Sequence, residues 1–164
     1  MKESIPKVAS VALIAVVMLT LLCTGCGLYI NDDSIAQKDC EQILEFLDTK
    51  DSKSLKSMFC KEILSSPQNL DAQIQTAMNF FQGKTISHGS FKNAGGGETW
   101  EHWQISRLDI SPYIKNIVTD ANKKYEIHAS AYIVYKADKN KEGISDIVIT
   151  ASDGQKCEIG KYIK

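Results

Sequence analysis

The hydrophobic pattern of this chain changes period once, at Gly83, and that change constrains its fold more than any other feature. Before it, apolar residues recur at helical spacing. Ala36, Cys40, Ile43, Leu44 and Leu47 make one stripe, with Gln37, Lys38, Glu41 and Glu45 outside it. This predicts an amphipathic helix capped by Asp33 or Ser34 and running to about Thr49. Asp51 or Ser52 caps a second, shorter helix carrying Leu55, Met58 and Phe59, and Ser65-Ser66-Pro67 interrupts the pattern. A third helix is predicted from about Leu70 to Gln82, with Leu70, Ile74, Ala77, Met78 and Phe81 on one side and Gly83 as its stop. After Gly83 the pattern alternates. Lys84 to Phe91 reads as a strand, Asn93 to Gly97 as a flexible connection, and Thr99 to Ile110 as a long second strand. Ser111-Pro112 marks a bend or bulge, because proline cannot donate to a central ladder, and Tyr113 to Thr119 continues extended. Asp120 to Lys123 is a hairpin turn leading into the strand Tyr125 to Lys136, followed by a turn at Asp138 to Gly143 and a strand Ile144 to Ala151. The tail adds a short edge around Ile159-Gly160. Helices first and antiparallel strands afterwards make an α+β domain, in which a curved antiparallel sheet covers the helical stripes.

The first residues read as an address. Met1 to Lys7 carries Lys2 and Lys7 against Glu3, and Val8 to Leu22 then runs without a charge. Fifteen residues of helix span roughly 22 Å, short of the roughly 30 Å hydrocarbon core, so the segment fits an export signal better than a membrane span. It is followed by Leu21-Leu22-Cys23-Thr24-Gly25-Cys26, which resembles the lipobox of bacterial lipoproteins, with Cys23 where leucine is usual. The resemblance implies diacylglycerol transfer to the Cys26 thiol and cleavage just before it. Two acyl chains suffice for durable anchoring, at about 0.8 kcal/mol per buried CH₂. The chain is thus divided into a signal peptide, 1–25, a lipidated tether, 26–33, and one domain, 34–164. The expected location is the extracytoplasmic face of the cell membrane.

The mature chain carries 17 basic and 19 acidic residues once Lys2, Lys7 and Glu3 are removed. Arg107 is the only arginine, so bidentate phosphate recognition is poorly supplied and nucleic acid is not an expected partner. Three thiols remain after maturation and acylation: Cys40, Cys60 and Cys157. Export permits a bridge, Cys40–Cys60 or Cys60–Cys157, but Cys40 lies on an apolar stripe where a free thiol packs as a small hydrophobe, so no bridge is expected.

The segment Asp39 to Ile149 resembles an uncharacterised NTF2-like domain of small lipoproteins of Gram-positive bacteria. The likeness is carried by Ile43 to Asp51, by Leu55 with Met58-Phe59, by Leu70 to Ile74 and by Phe80 to Gly83. It continues through the glycine-rich segment, Asn116 to Asp120, Tyr125 to Ile127 and Glu142 to Ile144. The resemblance implies helices packed on a cone-shaped curved sheet, and it brings no established activity.

Motifs of chemistry are sparse. Gly95-Gly96-Gly97 lacks the Lys-Ser/Thr of a phosphate loop and links strands instead of opening a helix, so it reads as a mobile loop, a flap at most over the cone mouth, and no cofactor is expected. His88, His102 and His128 all fall on predicted strands without metal-ligand spacing, and no metal is expected. Glu98, Trp100, Glu101, His102 and Trp103 form an aromatic-acidic cluster. Alternation along a strand puts Trp100 and His102 on one face and Trp103 on the other, so one tryptophan belongs in the core and one on the outer sheet face. Trp100, His102, Trp103 and Tyr132 are therefore the candidate residues for a ligand, a protein partner or a homodimer through the sheet face. The expected function is a lipid-anchored, non-enzymatic binding module for a protein, peptide or small apolar ligand. The alternative is an enzyme using acid/base chemistry in the cone, isomerase- or hydrolase-like, with Asp109 and Tyr113 or Tyr132 as its pair.

Overall fold

The computed structural model describes residues 30–164; the segment read as a signal peptide, Cys26 and most of the expected tether lie outside the described residues. Four helices come first: α1 Asp32–Thr49, α2 Ser52–Ser57, α3 Lys61–Leu64 and α4 Leu70–Phe80. Six strands follow, β1 Thr85–Ser87, β2 Lys92–Glu101, β3 Gln104–Thr119, β4 Lys124–Tyr135, β5 Gly143–Ala151 and β6 Lys156–Gly160, with a 3₁₀ turn at Lys139–Lys141. They form one curved, open antiparallel sheet in the order β1-β3-β4-β5-β6, with β2 lying beyond β1 along the same edge of β3. None of the described helices is long and apolar enough to cross a membrane.

One apolar layer joins the two halves. Ala36, Cys40, Ile43, Leu44 and Leu47 of α1 and Leu70, Ile74, Ala77 and Met78 of α4 are buried, as their spacing predicts. They pack on Ile110, Ile114 and Ile117 of β3, Ile127, Ala129 and Ala131 of β4, and Ile144, Ile147 and Ile149 of β5. Cys40, Cys60 and Cys157 are free thiols in this layer. Burial pushes the Cys40 thiol up to about 12, with help from the charges of Asp39 and Glu41, and burial also raises Cys60 and Cys157.

Directional bonds fix where each helix lies. The Asp48 carboxylate accepts from the Thr85 N–H at 2.9 Å and its hydroxyl at 3.0 Å, tying the end of α1 to β1. At the other end of α1, Asn93 Nδ2 donates to Asp32 at 3.1 Å. The Tyr125 hydroxyl donates to the Phe80 carbonyl at 2.9 Å and accepts from the Gln82 N–H at 3.1 Å, closing the end of α4 over β4. Phe59 bridges Ile144 in parallel, with Cys60 N–H donating to Ile144 O at 2.8 Å, so the link between α2 and α3 extends β5.

The strand expectations need three corrections. The first strand shortens to Thr85–Ser87. Asn93 to Gly97 is no flexible connection, and neither a loop nor a flap: it belongs to β2, with Gly96 opposite Ile110 and Gly97 opposite Asp109. Gly96 has φ +155°, and a Cβ there would lie 2.3 Å from the Asp109 carbonyl, so glycine permits a strand approach that a side chain blocks. The stretch from Thr99 to Ile110 is two strands, broken by a hairpin turn at His102-Trp103. The irregularity expected at Ser111-Pro112 is present, since the register with β2 shifts between Pro112, opposite Asn93, and Ile110, opposite Gly96; the register with β4 shifts twice, between Leu108 and Asp109 and between Ile114 and Ile117, where Asn116 has φ +56°.

Asp39 is half-buried on α1, and no hydrogen bond or ion pair to its carboxylate occurs among the described residues. Burial pushes its pKa up to about 6, offset in part by Lys38. The folded state therefore holds this proton more tightly than the unfolded chain, whose Asp pKa is about 3.9. Asp39 costs nothing below about pH 4, and stability falls as pH rises through about 6. Asp39→Asn should match the parent midpoint of thermal unfolding near pH 4 and exceed it by a growing margin up to about pH 7. Ile147→Ala should destabilise the domain by about 3 kcal/mol in urea unfolding, because the layer around it has no slack to collapse into.

Candidate functional site

The β2–β3 hairpin ends in a two-residue loop, with Glu101 opposite Gln104. His102 has φ +49° and Trp103 φ +65°, the left-handed pair that a type I′ turn requires. Asn-Gly is the usual occupant, because a bulky side chain in this region is strained. Trp103 is 96 % exposed at the tip and Trp100, opposite Ile105, is 56 % exposed. Neither indole lies in the core, which corrects the expectation of one buried and one outward tryptophan: the turn removes the alternation on which it rested. Nor do the three histidines share the sheet. His88 follows β1, His102 is in the turn, and only His128 is on a strand. Among the described residues no group of three or more His, Cys, Asp or Glu is placed to hold a metal.

The base of the hairpin leads to an aromatic array on the sheet face away from the helices. Thr99 stands opposite Arg107, and Arg107 opposite Tyr135. Arg107 Nε donates to Asp109 at 3.0 Å while its guanidinium lies 5.1 Å from the Tyr132 ring centre. Tyr132 meets Tyr135 edge-on at 4.8 Å, and the Lys141 ammonium lies 5.1 Å from the Tyr135 ring. Two cations thus flank a tyrosine pair, each drawn to the negative face of a ring. A cleft of about 360 Å³ opens beside this array, lined by Thr99, Glu101, Ser106, Arg107, Tyr135 and Lys136. Tyr132 itself is 4 % exposed and donates to the Ile163 carbonyl at 3.4 Å, so it supports the array from beneath. Burial raises the pKa of its hydroxyl above the ordinary tyrosine value.

Asp109 and Tyr132 are brought together across β3 and β4, but the carboxylate is already paired with Arg107. Tyr113 is apart from them, donating to Glu126 at 3.0 Å and meeting His128 edge-on at 6.0 Å. A second and larger groove, of about 700 Å³, runs between α1 and β1 past Glu41, Glu45, Asp48, Ile86, His88 and Phe91. Sequence reasoning assigned Glu41 and Glu45 to a plain solvated face. The exposed Ile86 at the groove gave the one signal, an apolar residue in a strand too short to bury it.

Residues 42–152, about two thirds of the chain, match the family described as "Domain of unknown function (DUF5104)". The chain belongs to this family. No curated protein shows significant similarity to it. The DUF5104 match begins inside α1 and ends just past β5, so it takes in the hairpin, the Arg107–Tyr132–Tyr135 array and the groove, and leaves out β6.

The strained turn of this DUF5104 domain generates a prediction. Replacing His102-Trp103 by Asn-Gly should raise stability by about 0.5–1 kcal/mol in urea unfolding, since glycine relieves the left-handed strain at a modest entropic cost. A loss of stability would mean that the tip residues support the fold instead of being carried by it.

Proposed function

We propose that the chain is an extracytoplasmic lipoprotein, acylated at Cys26, whose domain is an NTF2-like cone serving as a non-enzymatic binding module. Its partner is a protein, peptide or small apolar ligand taken on the hairpin and the adjoining outer face, at Trp100, His102, Trp103 and the Tyr132-backed array. The observation that carries this reading is the turn: two large residues hold left-handed backbone there while a tryptophan stands almost wholly in solvent. Strain kept at an exposed position, with no core contact to repay it, is characteristic of sites retained for binding. The anchor rests on the lipobox resemblance at Cys26.

Acid/base chemistry in the cone has less support. The concave face presents Ile110, Ile114, Ile127, Ala129, Ile147 and Ile149, none of which moves a proton. The pair suggested for such chemistry, Asp109 with Tyr132, lies on the other face with its carboxylate committed to Arg107.

Two measurements test the reading. Protein extracted from membranes should begin at Cys26 with the added mass of an acylated glycerol, and Cys26→Ala should abolish that mass and the cleavage. Crosslinking in intact cells should capture neighbours with the parent chain, and Arg107→Ala with Tyr135→Ala should lose them by about tenfold if they dock on the array. Equal capture by both would remove the array as a binding surface.

A further inference from the structure

The hairpin tip and the start of α1 lie towards the same end of the domain. The Asp48–Thr85 and Asp32–Asn93 bonds lay the run from β1 into β2 alongside α1 in the opposite direction, from the helix's last turn back to its first residue. At Asn93 the helix is used up, but the strand goes on. Nine further residues reach His102, roughly 30 Å of contour at about 3.3 Å per residue. Every residue of β2 beyond Asn93 is exposed, as expected of a ribbon that has outrun the helix beneath it. Trp100 alternates with Thr99 and Glu101, so it projects on the face that carries α1, beyond the helix start. Cys26 is six residues from Asp32, and six residues reach at most about 20 Å. The reach available to an anchor at Cys26 past the start of α1 is therefore comparable with that of the hairpin.

Resting on the lipid anchor at Cys26, we infer that the β2–β3 tip is a bilayer contact, its Trp100 and Trp103 indoles seated at the headgroup level of the membrane that holds the acylated cysteine. Indole suits that depth, because its ring is apolar and its N–H still reaches water. Glu98, Glu101 and His102 flank the indoles, and no lysine or arginine lies between Asn93 and Gln104. Attraction to anionic lipid therefore contributes nothing, and the contact rests on the rings. Two indoles alone hold a soluble protein weakly, but a tether of this length makes their insertion intramolecular and raises their effective concentration at the surface. On this inference the tip residues of the proposed binding surface meet the bilayer, which sets how the domain stands on the membrane, and the protein or peptide partner keeps the Arg107–Tyr135 array.

The experiment uses the full lipidated chain in phosphatidylcholine vesicles. The chain has two tryptophans, both on this hairpin, so indole emission reports the tip alone. The expected result is blue-shifted emission, shielding from acrylamide, and quenching several-fold stronger by lipids brominated near the headgroup than near the chain methyl. Adding phosphatidylglycerol should not strengthen it. Water-like emission from a chain that floats with vesicles and carries the acyl mass at Cys26 overturns the contact and leaves the anchor standing. A chain of unmodified mass that fails to float removes the anchor, and the contact falls with it. A blue shift in detergent without vesicles, together with a doubled mass, assigns the indoles to a second copy and also overturns the contact.

Discussion

A single apolar layer, in which the stripes of α1 and α4 meet the isoleucines of β3, β4 and β5, is what the rest of the domain depends on. Neither side is stable by itself. Short helices in water are marginal, and an open sheet with one oily face aggregates. Pressed together they remove the same surface from water, and the curvature of the sheet follows from wrapping that layer. The isoleucine-rich concave face is filled: its side chains pack directly against the helical stripes. The polar and aromatic side chains that remain accessible lie on the outer face and at the edge.

The edge is where the fold spends the least on itself. β2 gains little burial along its length and includes three glycines that add no packing. It persists because its backbone pairs with β3 and because the Asn93 side chain is bonded on two sides, Nδ2 donating to Asp32 of α1 and Oδ1 accepting from the Ser111 N–H at 2.9 Å. Beyond that clamp the hairpin is a two-stranded ribbon held mainly by its ladder. Such ribbons open more readily than core strands. The strained turn at the end of this weakly held ribbon has no core contact that requires it.

The helical half of the fold was legible because each stripe announces its own burial. The residues from Ala36 to Leu47 and from Leu70 to Met78 that are spaced to lie together are the ones that are buried. β4 and β5 were legible for the same reason, alternation against a one-sided core. The edge was not. Glycine in a run of three reads locally as a loop, yet Gly96 is there because the Asp109 carbonyl approaches from the neighbouring strand, a non-local fact. The hairpin turn was invisible because His102-Trp103 carries none of the Asn-Gly chemistry that ordinarily marks it. Trp100, Trp103 and His102 were singled out from sequence, but their shared position at a tip depended on that hidden turn. Spacing alone left Tyr113 and Tyr132 as equal partners for Asp109; only the β3–β4 register sets Tyr132 opposite it and brings Arg107 onto both.

The three thiols sealed in the apolar layer impose a one-way character on unfolding. While the domain is intact they are shielded and protonated, so oxidants and disulfides find no thiolate to engage. An opened chain presents all three at once, and thiols exposed together in an oxidising milieu crosslink wrongly or to a neighbour. Each excursion out of the native state thereby risks permanent loss. The working lifetime of the molecule outside a reducing compartment is then governed by how seldom it opens, a rate of escape and not an equilibrium population.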